Sequence, residues 1–177
     1  MDIHDISRSC RTYGVKGYFI VTPIEVQHEL VGRIIGHWRT EKAQAYHPDR
    51  VEAVSLVRLV HSFDEVKTAI RAELGLASDG NASSGNLPTE DMEVVLTDAS
   101  PLRDAVSYVD YRRELEDPHR TKPTVVVFGT GWGVADVFYP EVNRILAPVY
   151  GPEGHGGYNH LSVRSAVAII LDRLFGK

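Results

Sequence analysis

The sequence predicts an α/β fold in which a mostly parallel sheet carries helices on both of its faces. Candidate strands alternate with candidate helices along the chain, which is the order that builds parallel sheets. The strands are near-continuous apolar runs, such as the one over residues 124–128, as expected of strands buried on both faces. With 177 residues, of which 43% are hydrophobic and 24% charged, the chain suits a single domain over 1–177 with a sizeable core.

Boundary signals divide the first half of the chain into helices and one strand. Gly14 suits the position just after a helix, where a left-handed backbone is common. Pro23 ends the apolar run that precedes it. Ser62 and Glu65 form a capping box that starts a helix. The elements predicted here are a helix over 2–13, a strand over 18–21, helices over 24–38, 50–60 and 62–74, and loops over 39–48 and 75–89.

The second half has more strands, and the strands precede glycine-rich or polar turns. The stretch over 75–89 is rich in Gly, Ser and Asn and ends the first half as a flexible loop. Apolar residues recur at helical spacing near the end of the chain, which predicts a final helix with one buried face. The elements predicted here are strands over 93–96, 124–128 and 144–149, and helices over 101–115, 134–142 and 161–175.

The composition restricts the class of protein. The single cysteine, Cys10, excludes an internal disulfide and favours the reducing cytoplasm. No apolar run reaches about 18 residues, and the first residues are acidic, so neither a membrane span nor a signal peptide is predicted. A net charge of −5 argues weakly against nucleic-acid binding, although a local basic cluster can coexist with it. No metal site is predicted, because Glu153, His155 and His160 match no ligand spacing.

Two glycine-rich loops are candidates for a ligand pocket. Gly129, Gly131 and Gly133 follow a predicted buried strand, and a second glycine-rich stretch over 151–157 follows the next strand. Glycine allows a positive φ and lets a ligand approach backbone amides. The pair therefore indicates a pocket for a nucleoside-like cofactor, with a tight turn and a mobile surface loop as the alternatives. The spacing is not the G-x-G-x-x-G of dinucleotide-binding folds.

Polar residues flank two of the predicted helices. The segment 158–165 leads into the last helix, where Ser162 could cap the helix and Asn159 could order the loop or touch a substrate. Near the N-terminus, Arg8 and Arg11 share one helical face. They form either a solvated basic face or a contact to phosphate or base.

Several segments together resemble the SPOUT RNA methyltransferases, and in particular the small family found alone or fused to the tRNA guanine-N1 methyltransferase. Residues 8–15 and the strand after them resemble the first SPOUT motif. Residues 128–133 resemble the second motif, and 147–149 with 160–163 resemble the third. Members usually have a strand before the first helix, so the resemblance leaves two expectations open, that the start of the sequence is misassigned or that the sheet lacks an edge strand.

The resemblance implies a C-terminal trefoil knot, a homodimer and transfer of a methyl group from S-adenosylmethionine to RNA, with tRNA as the expected substrate. It also implies association with another tRNA methyltransferase as one option. The first-motif arginine, Arg8, is expected at the acceptor, with Arg11 one turn away. The positions expected to hold the cofactor are Thr97, Phe128, Gly129, Thr130, Gly131, Trp132, Gly133, Ala147, Val149, Tyr158, Asn159, His160, Leu161, Ser162 and Ser165.

Two other functions stay open at this point. One is a non-catalytic module that binds S-adenosylmethionine or RNA, which the acidic net charge favours. The other is a nucleotide-binding oxidoreductase, which only the glycine loop suggests. Methylation of a base and methylation of a 2′-hydroxyl are both compatible with the resemblance.

Overall fold

The computed structural model describes residues 2–76, 91–154 and 157–177, and its fold is α/β with parallel strand pairing. The chain divides into two compact units, Met1–Asn81 and Ala82–Lys177. The described strands form a two-stranded sheet in the first unit and a three-stranded sheet in the second. The α/β class is thus confirmed, whereas the single domain over 1–177 stays a prediction.

The first unit packs three of its five described helices and both of its described strands around one apolar cluster. Strands β1 and β2 run parallel, with Tyr18 opposite Val57. The cluster is built from α1, α2, α4 and β2 and contains Ile3, Val31, Ile35, Val54 and Val57. The elements are α1 (Ile3–Thr12), β1 (Tyr18–Val21), α2 (Glu25–Trp38), α3 (Glu41–Tyr46), α4 (Pro48–Val54), β2 (Val57–Val60) and α5 (Phe63–Glu73).

The end of α1 follows the predicted glycine signal. Gly14 has φ +71°, and the amide of Val15 donates to the Cys10 carbonyl at 2.9 Å, as in a Schellman motif. Cys10 itself is buried, with 5% of its surface exposed. Burial raises the pKa of its thiol to about 11, so the thiolate form is scarce at neutral pH.

The second unit has a three-stranded parallel sheet in the order β4-β3-β5. The central strand is buried on both faces, since Val94, Val95 and Leu96 have no exposed surface. On one face, Val95 packs with Tyr111 of α6 and with Ile170 and Leu174 of α7. The elements are β3 (Glu93–Thr97), α6 (Tyr108–Leu115), β4 (Thr124–Phe128), a short 3-10 helix (Asp136–Glu141), β5 (Arg144–Leu146) and α7 (Val163–Phe175).

Four predicted elements differ from the structure. The helix over 50–60 is wrong at its second half, because β2 pairs with β1 there and competes with continued helix. The helix over 101–115 begins only at Tyr108, because Val106 first bridges to Leu146 of β5. The loop over 39–48 contains α3, whose N-cap Thr40 accepts from the Ala43 amide. The strand over 144–149 stops at Leu146.

Candidate cofactor and substrate sites

The carboxyl ends of the three parallel strands bring most of the predicted cofactor residues to one edge of the second unit's sheet. Thr97, Phe128 and Leu146 are the last residues of β3, β4 and β5. Thr97 donates its hydroxyl to the Val127 carbonyl at 2.9 Å, which ties the ends of β3 and β4 together. Ligands of open α/β sheets bind at this edge because the loops there present free backbone groups.

The loop after β4 turns tightly on its own backbone. Thr130 and Gly133 form an antiparallel bridge in which the Gly133 amide donates to the Thr130 carbonyl at 2.8 Å. A Cβ at Gly129 would lie 2.6 Å from the Gly133 carbonyl carbon, which no real side chain tolerates. Gly133 also has φ +75°. The glycines at both ends of this loop are therefore required by its shape.

The tip of the same loop is open. A Cβ at Gly131 would meet nothing within 4 Å, and Trp132 is fully exposed. A large aromatic ring without packing partners is costly in water and often marks a binding surface. The loop thus presents bare backbone and an indole ring together.

The loop after β5 is held to the loop after β3 by one side chain. Asn159 donates from Nδ2 to the Ala99 carbonyl at 2.7 Å, which joins the two loops. Ala147 donates its amide to the Val106 carbonyl at 2.9 Å, and Val149 packs against the apolar cluster around Val95. Ala147 and Val149 therefore fix the base of the loop.

The rest of this segment is exposed and polar or aromatic. Tyr158 packs its ring edge-on against His160 at 5.4 Å, and both are exposed. Leu161 is also exposed. His155 lies outside the described residues, and the described part of the chain contains no group of three or more His, Cys, Asp and Glu side chains that could hold a metal.

The start of α7 differs in detail from its prediction. Ser162 occupies the N-cap position, but its side chain does not bond to the helix backbone. Its hydroxyl instead pairs with the hydroxyl of Ser165 at 2.9 Å. The first amides of α7 are therefore left for an acceptor other than this side chain, and a helix N-terminus favours an anionic group.

The two arginines of α1 have different surroundings. Arg11 forms an ion pair with Glu52 of α4. Among the described residues, Arg8 has no carboxylate at ion-pair distance and lines a small cleft of the first unit. Arg8 therefore remains available to an external anion, whereas Arg11 is already engaged.

Sequence reasoning missed the other residues of that cleft. Tyr46, His47, Pro48, Asp49 and Arg50 line it together with Arg8. The sequence places Tyr46, His47 and Pro48 in the predicted loop over 39–48 and Arg50 at the start of the predicted helix over 50–60, and it assigns Asp49 to neither. The signal in the sequence was Pro48, which favours the first turn of a helix and so places the preceding aromatic pair at a helix junction.

A polar network lies under β3 and is separate from these loops. Tyr111 donates its hydroxyl to Glu93 at 2.6 Å, Arg120 pairs with the same carboxylate, and Arg144 approaches it at 3.6 Å. Burial alone would raise the pKa of Glu93, but the hydrogen bonds from Tyr111 and Arg120 and the two positive charges hold it below its ordinary value. The same burial and the bond to Glu93 raise the pKa of Tyr111. The network joins β3, α6 and β5 and is structural.

The loops after the parallel strands place glycine backbone and exposed aromatic rings at one edge of the sheet. This arrangement is typical of a ligand-binding α/β protein. Residues 1–176 match the SAM-dependent RNA methyltransferase family, and the chain belongs to that family. SAM here denotes S-adenosylmethionine, the methyl donor.

Relatives of known sequence agree with this family. A protein from Aquifex aeolicus is 40% identical over 177 residues, which are 100% of this chain and 77% of that protein. The tRNA (guanine-N(1)-)-methyltransferase of Nitratidesulfovibrio vulgaris is 38% identical over 176 residues. That match covers 99% of this chain but spans 36% of the enzyme's length.

A solved structure supports the fold. The SpoU methyltransferase AviRb from Streptomyces viridochromogenes, crystallised with AdoMet, aligns with a TM-score of 0.53 at 18% identity. The alignment covers 98% of this chain and 54% of that one. The family match confirms the resemblance to RNA methyltransferases, and the chain shares the fold of this SpoU methyltransferase.

The residues at the sheet edge are chemically suited to this cofactor. S-adenosylmethionine combines a flat adenine, a ribose and an amino-acid end that carries a carboxylate. Bare backbone at Gly131 and Gly151, where a Cβ would meet nothing within 4 Å, leaves room for a ligand to approach the amides. The uncapped amides of α7 suit a carboxylate.

Helices of membrane-spanning length and apolarity do not occur in the described part of the chain.

Proposed function

We propose that this chain binds S-adenosylmethionine at the loops after β3, β4 and β5 and transfers its methyl group to a nucleotide of tRNA in the cytoplasm. The observation that carries the proposal is that these three loops leave the same edge of the sheet, where Asn159 joins the loop after β5 to the loop after β3 by its bond to Ala99. The proposed fold includes a trefoil knot in the second unit, and the proposed assembly is a homodimer.

When bound, S-adenosylmethionine supplies a methyl group on a positively charged sulfur. The acceptor oxygen or nitrogen forms the new bond to this carbon, the carbon–sulfur bond breaks with its electron pair on sulfur, and the acceptor proton passes to solvent. The protein has mainly to align donor and acceptor, since orientation supplies most of the rate in such reactions.

The loops supply the cofactor contacts in this proposal. The backbone from Gly129 to Gly133 and the backbone around Gly151 receive the nucleoside part, and Trp132 or Tyr158 covers its ring. The amides at the start of α7, near Ser162 and Ser165, receive the carboxylate. A flat aromatic side chain beside bare backbone excludes water from an adenine without requiring a charged partner.

Arg8 acts on the acceptor. Its guanidinium forms no ion pair with any described residue, so it is available to bind a phosphate or an oxygen that becomes negative. Arg11 has a weaker case, because Glu52 already neutralises it.

Titration calorimetry with S-adenosylhomocysteine, with NAD as the comparison ligand, tests the cofactor site. We expect binding of S-adenosylhomocysteine and none of NAD. Trp132 gives an independent readout, because the chain has two tryptophans and the variant Trp38→Phe leaves Trp132 as the single emitter. A blue shift on ligand addition is expected as the indole leaves water, and an unchanged spectrum together with no heat would refute the site.

Turnover on an unmodified tRNA pool with tritiated methyl donor tests the role of Arg8. Arg8→Ala is expected to abolish transfer and to leave the affinity for S-adenosylhomocysteine nearly intact. The matched control is Arg33→Ala, which removes an equal charge from exposed surface on α2. Loss of cofactor binding in Arg8→Ala would show that its role is wrongly assigned, and binding without turnover in the unmodified chain would favour a non-catalytic module.

A further inference from the structure

We propose that the cleft formed by Arg8, Tyr46, His47, Pro48, Asp49 and Arg50 binds the RNA directly, with a phosphate held by the two arginines and a base stacked on Tyr46. The inference rests on the proposed function, because it assigns the surface that takes the same RNA substrate. Below, these six residues are called the arginine cleft.

The size of the arginine cleft suits part of one nucleotide. Its volume is about 280 Å³, just below the range of roughly 300–1,000 Å³ for ligand pockets in proteins. It is lined by α1 on one side and by the junction of α3 and α4 on the other. A drug-sized ligand would overfill such a space, whereas one phosphate and its sugar would fit.

Two arginine side chains and one carboxylate, that of Asp49, line this space. Among the described residues, neither Arg8 nor Arg50 forms an ion pair, although Asp49 is part of the same lining. Arg11, only one turn from Arg8, does have a carboxylate partner in Glu52. Guanidinium groups that line one cleft and form no ion pair are stabilised by an anion, and planar guanidinium groups match phosphate oxygens in pairs.

Arg50 is held in place by an aromatic ring. Its guanidinium carbon lies 5.0 Å from the centre of the Trp38 ring, within the range of a cation–π contact. Trp38 is itself fixed by edge contacts with His4 at 5.4 Å and His37 at 5.1 Å. A long side chain that is already ordered loses little entropy when it binds a phosphate.

Tyr46 provides the stacking surface. Its side chain is 78% exposed, yet the ring is braced edge-on by His47, with the ring centres 4.5 Å apart. Exposed aromatic rings beside arginines are the usual way in which proteins hold unstacked RNA bases. An acidic peptide would use the two charges but would leave this ring without a role, so the combination favours RNA.

Fluorescence anisotropy with a labelled single-stranded RNA of about 12 nucleotides, a length within typical site sizes, tests the inference. Tyr46→Ala is expected to weaken binding by about tenfold or more, the usual loss of a base–aromatic stack, whereas Tyr46→Phe keeps the ring and binds nearly as the unmodified chain. Arg50→Ala is expected to reduce the slope of log affinity against log salt by about 0.7, the contribution of one single-strand phosphate contact. Arg33→Ala, with the same change of charge, is expected to leave affinity close to that of the unmodified chain.

Two further readouts separate this inference from the proposed function. The affinity for S-adenosylhomocysteine should be unchanged in the Tyr46 and Arg50 variants, and circular dichroism checks that each variant folds. If the unmodified chain binds S-adenosylhomocysteine and RNA but Tyr46→Ala and Arg50→Ala bind RNA equally well, the arginine cleft is not the RNA site and the function stands. If polyglutamate displaces the RNA as well as unlabelled RNA does, the cleft is a general anion site and the inference fails. If the unmodified chain binds neither S-adenosylhomocysteine nor RNA, the proposed function itself fails.

Discussion

Replacing Tyr111 by phenylalanine should destabilise the second unit through one lost hydrogen bond. Tyr111 is completely buried, and its hydroxyl donates to the Glu93 carboxylate at 2.6 Å. The substitution keeps the ring that packs against Val95 and removes only the oxygen. The change therefore isolates the polar contact from the apolar packing.

The size of the effect follows from the neighbours of Glu93. A hydrogen bond to a charged group contributes roughly 1.5–3 kcal/mol. Arg120 and Arg144 remain beside the carboxylate after the substitution, and its side chain keeps 16% of its surface exposed. Water and the arginines can therefore compensate in part, and we expect a loss of about 2 kcal/mol in the free energy of unfolding.

Urea unfolding followed by circular dichroism measures this loss, with Tyr108→Phe as the control. Tyr108 lies on the same helix, and its hydroxyl makes no hydrogen bond to any described residue. Its removal should change the free energy of unfolding by less than about 0.5 kcal/mol, as for substitutions that touch no special feature. Equal losses in the two variants would refute the assignment of the effect to Glu93.

The pH dependence gives a second check on the same reasoning. Because the folded state lowers the pKa of Glu93, its charge contributes stability that is present above the ordinary carboxyl pKa of about 4.3. That stability is lost as the pH falls through the folded value. The difference between the unmodified chain and Tyr111→Phe should therefore be full at pH 7 and should shrink in acid, and a difference that grows in acid would contradict the network.

Three more predictions concern other parts of the chain. Gly129→Ala should lower the melting temperature, because its Cβ would meet the Gly133 backbone at 2.6 Å. In Gly131→Ala the added Cβ meets nothing within 4 Å, so this control should melt at the temperature of the unmodified chain. Calorimetry measures the melting temperature of both variants. Arg11→Ala should cost at most about 1 kcal/mol in urea unfolding, since both partners of the ion pair with Glu52 are half exposed, and a loss several times larger would show that the pair is more than a surface contact. Burial, followed by the charge of Arg50, lowers the pKa of His4, and its Nε2 is buried without a partner among the described residues. The unmodified chain should therefore lose stability below about pH 6.5, whereas His4→Phe should lose less. Parallel slopes of the free energy of unfolding against pH for the two proteins would refute this.

The sequence predicted the elements that carry their own local signals. The Ser62 side chain accepts from the Glu65 amide, as the capping box requires, and Gly14 adopts the left-handed backbone that ends α1. The strand predicted over 93–96 formed with one further residue, Thr97, and the strand predicted over 124–128 formed with the predicted bounds, each around an apolar centre. In these segments a few neighbouring residues decide the structure, so a local pattern is sufficient.

The elements that depend on distant partners could not be predicted in this way. Val57–Val60 becomes a strand because β1 pairs with it, although its apolar spacing also fits a helix. Val106 is drawn out of the predicted helix by its bridge to Leu146 of β5. The arginine cleft could not be predicted from the sequence for the same reason, because only the tertiary structure brings Arg8 and Arg50 to one surface.

The candidate cofactor residues were found through glycine spacing and motif resemblance together. Glycine at 129 and 133 has a visible mechanical reason in the tight turn. The bond from Asn159 to Ala99 joins positions that are far apart in the sequence, and no spacing rule predicts it. The site positions therefore combine a local constraint with a long-range contact.

The buried thiol of Cys10 is a natural chemical probe of local opening in the first unit. Its pKa of about 11 and its burial between α1 and the unit's interior protect it from alkylation while the unit is folded. The chain contains no other cysteine, so alkylation reports exposure of the α1 segment in the Met1–Asn81 unit and gives no signal from the Ala82–Lys177 unit. Mass spectrometry after a timed pulse of iodoacetamide would thus follow how often the Cys10 side chain becomes accessible in the native chain, without any engineered label.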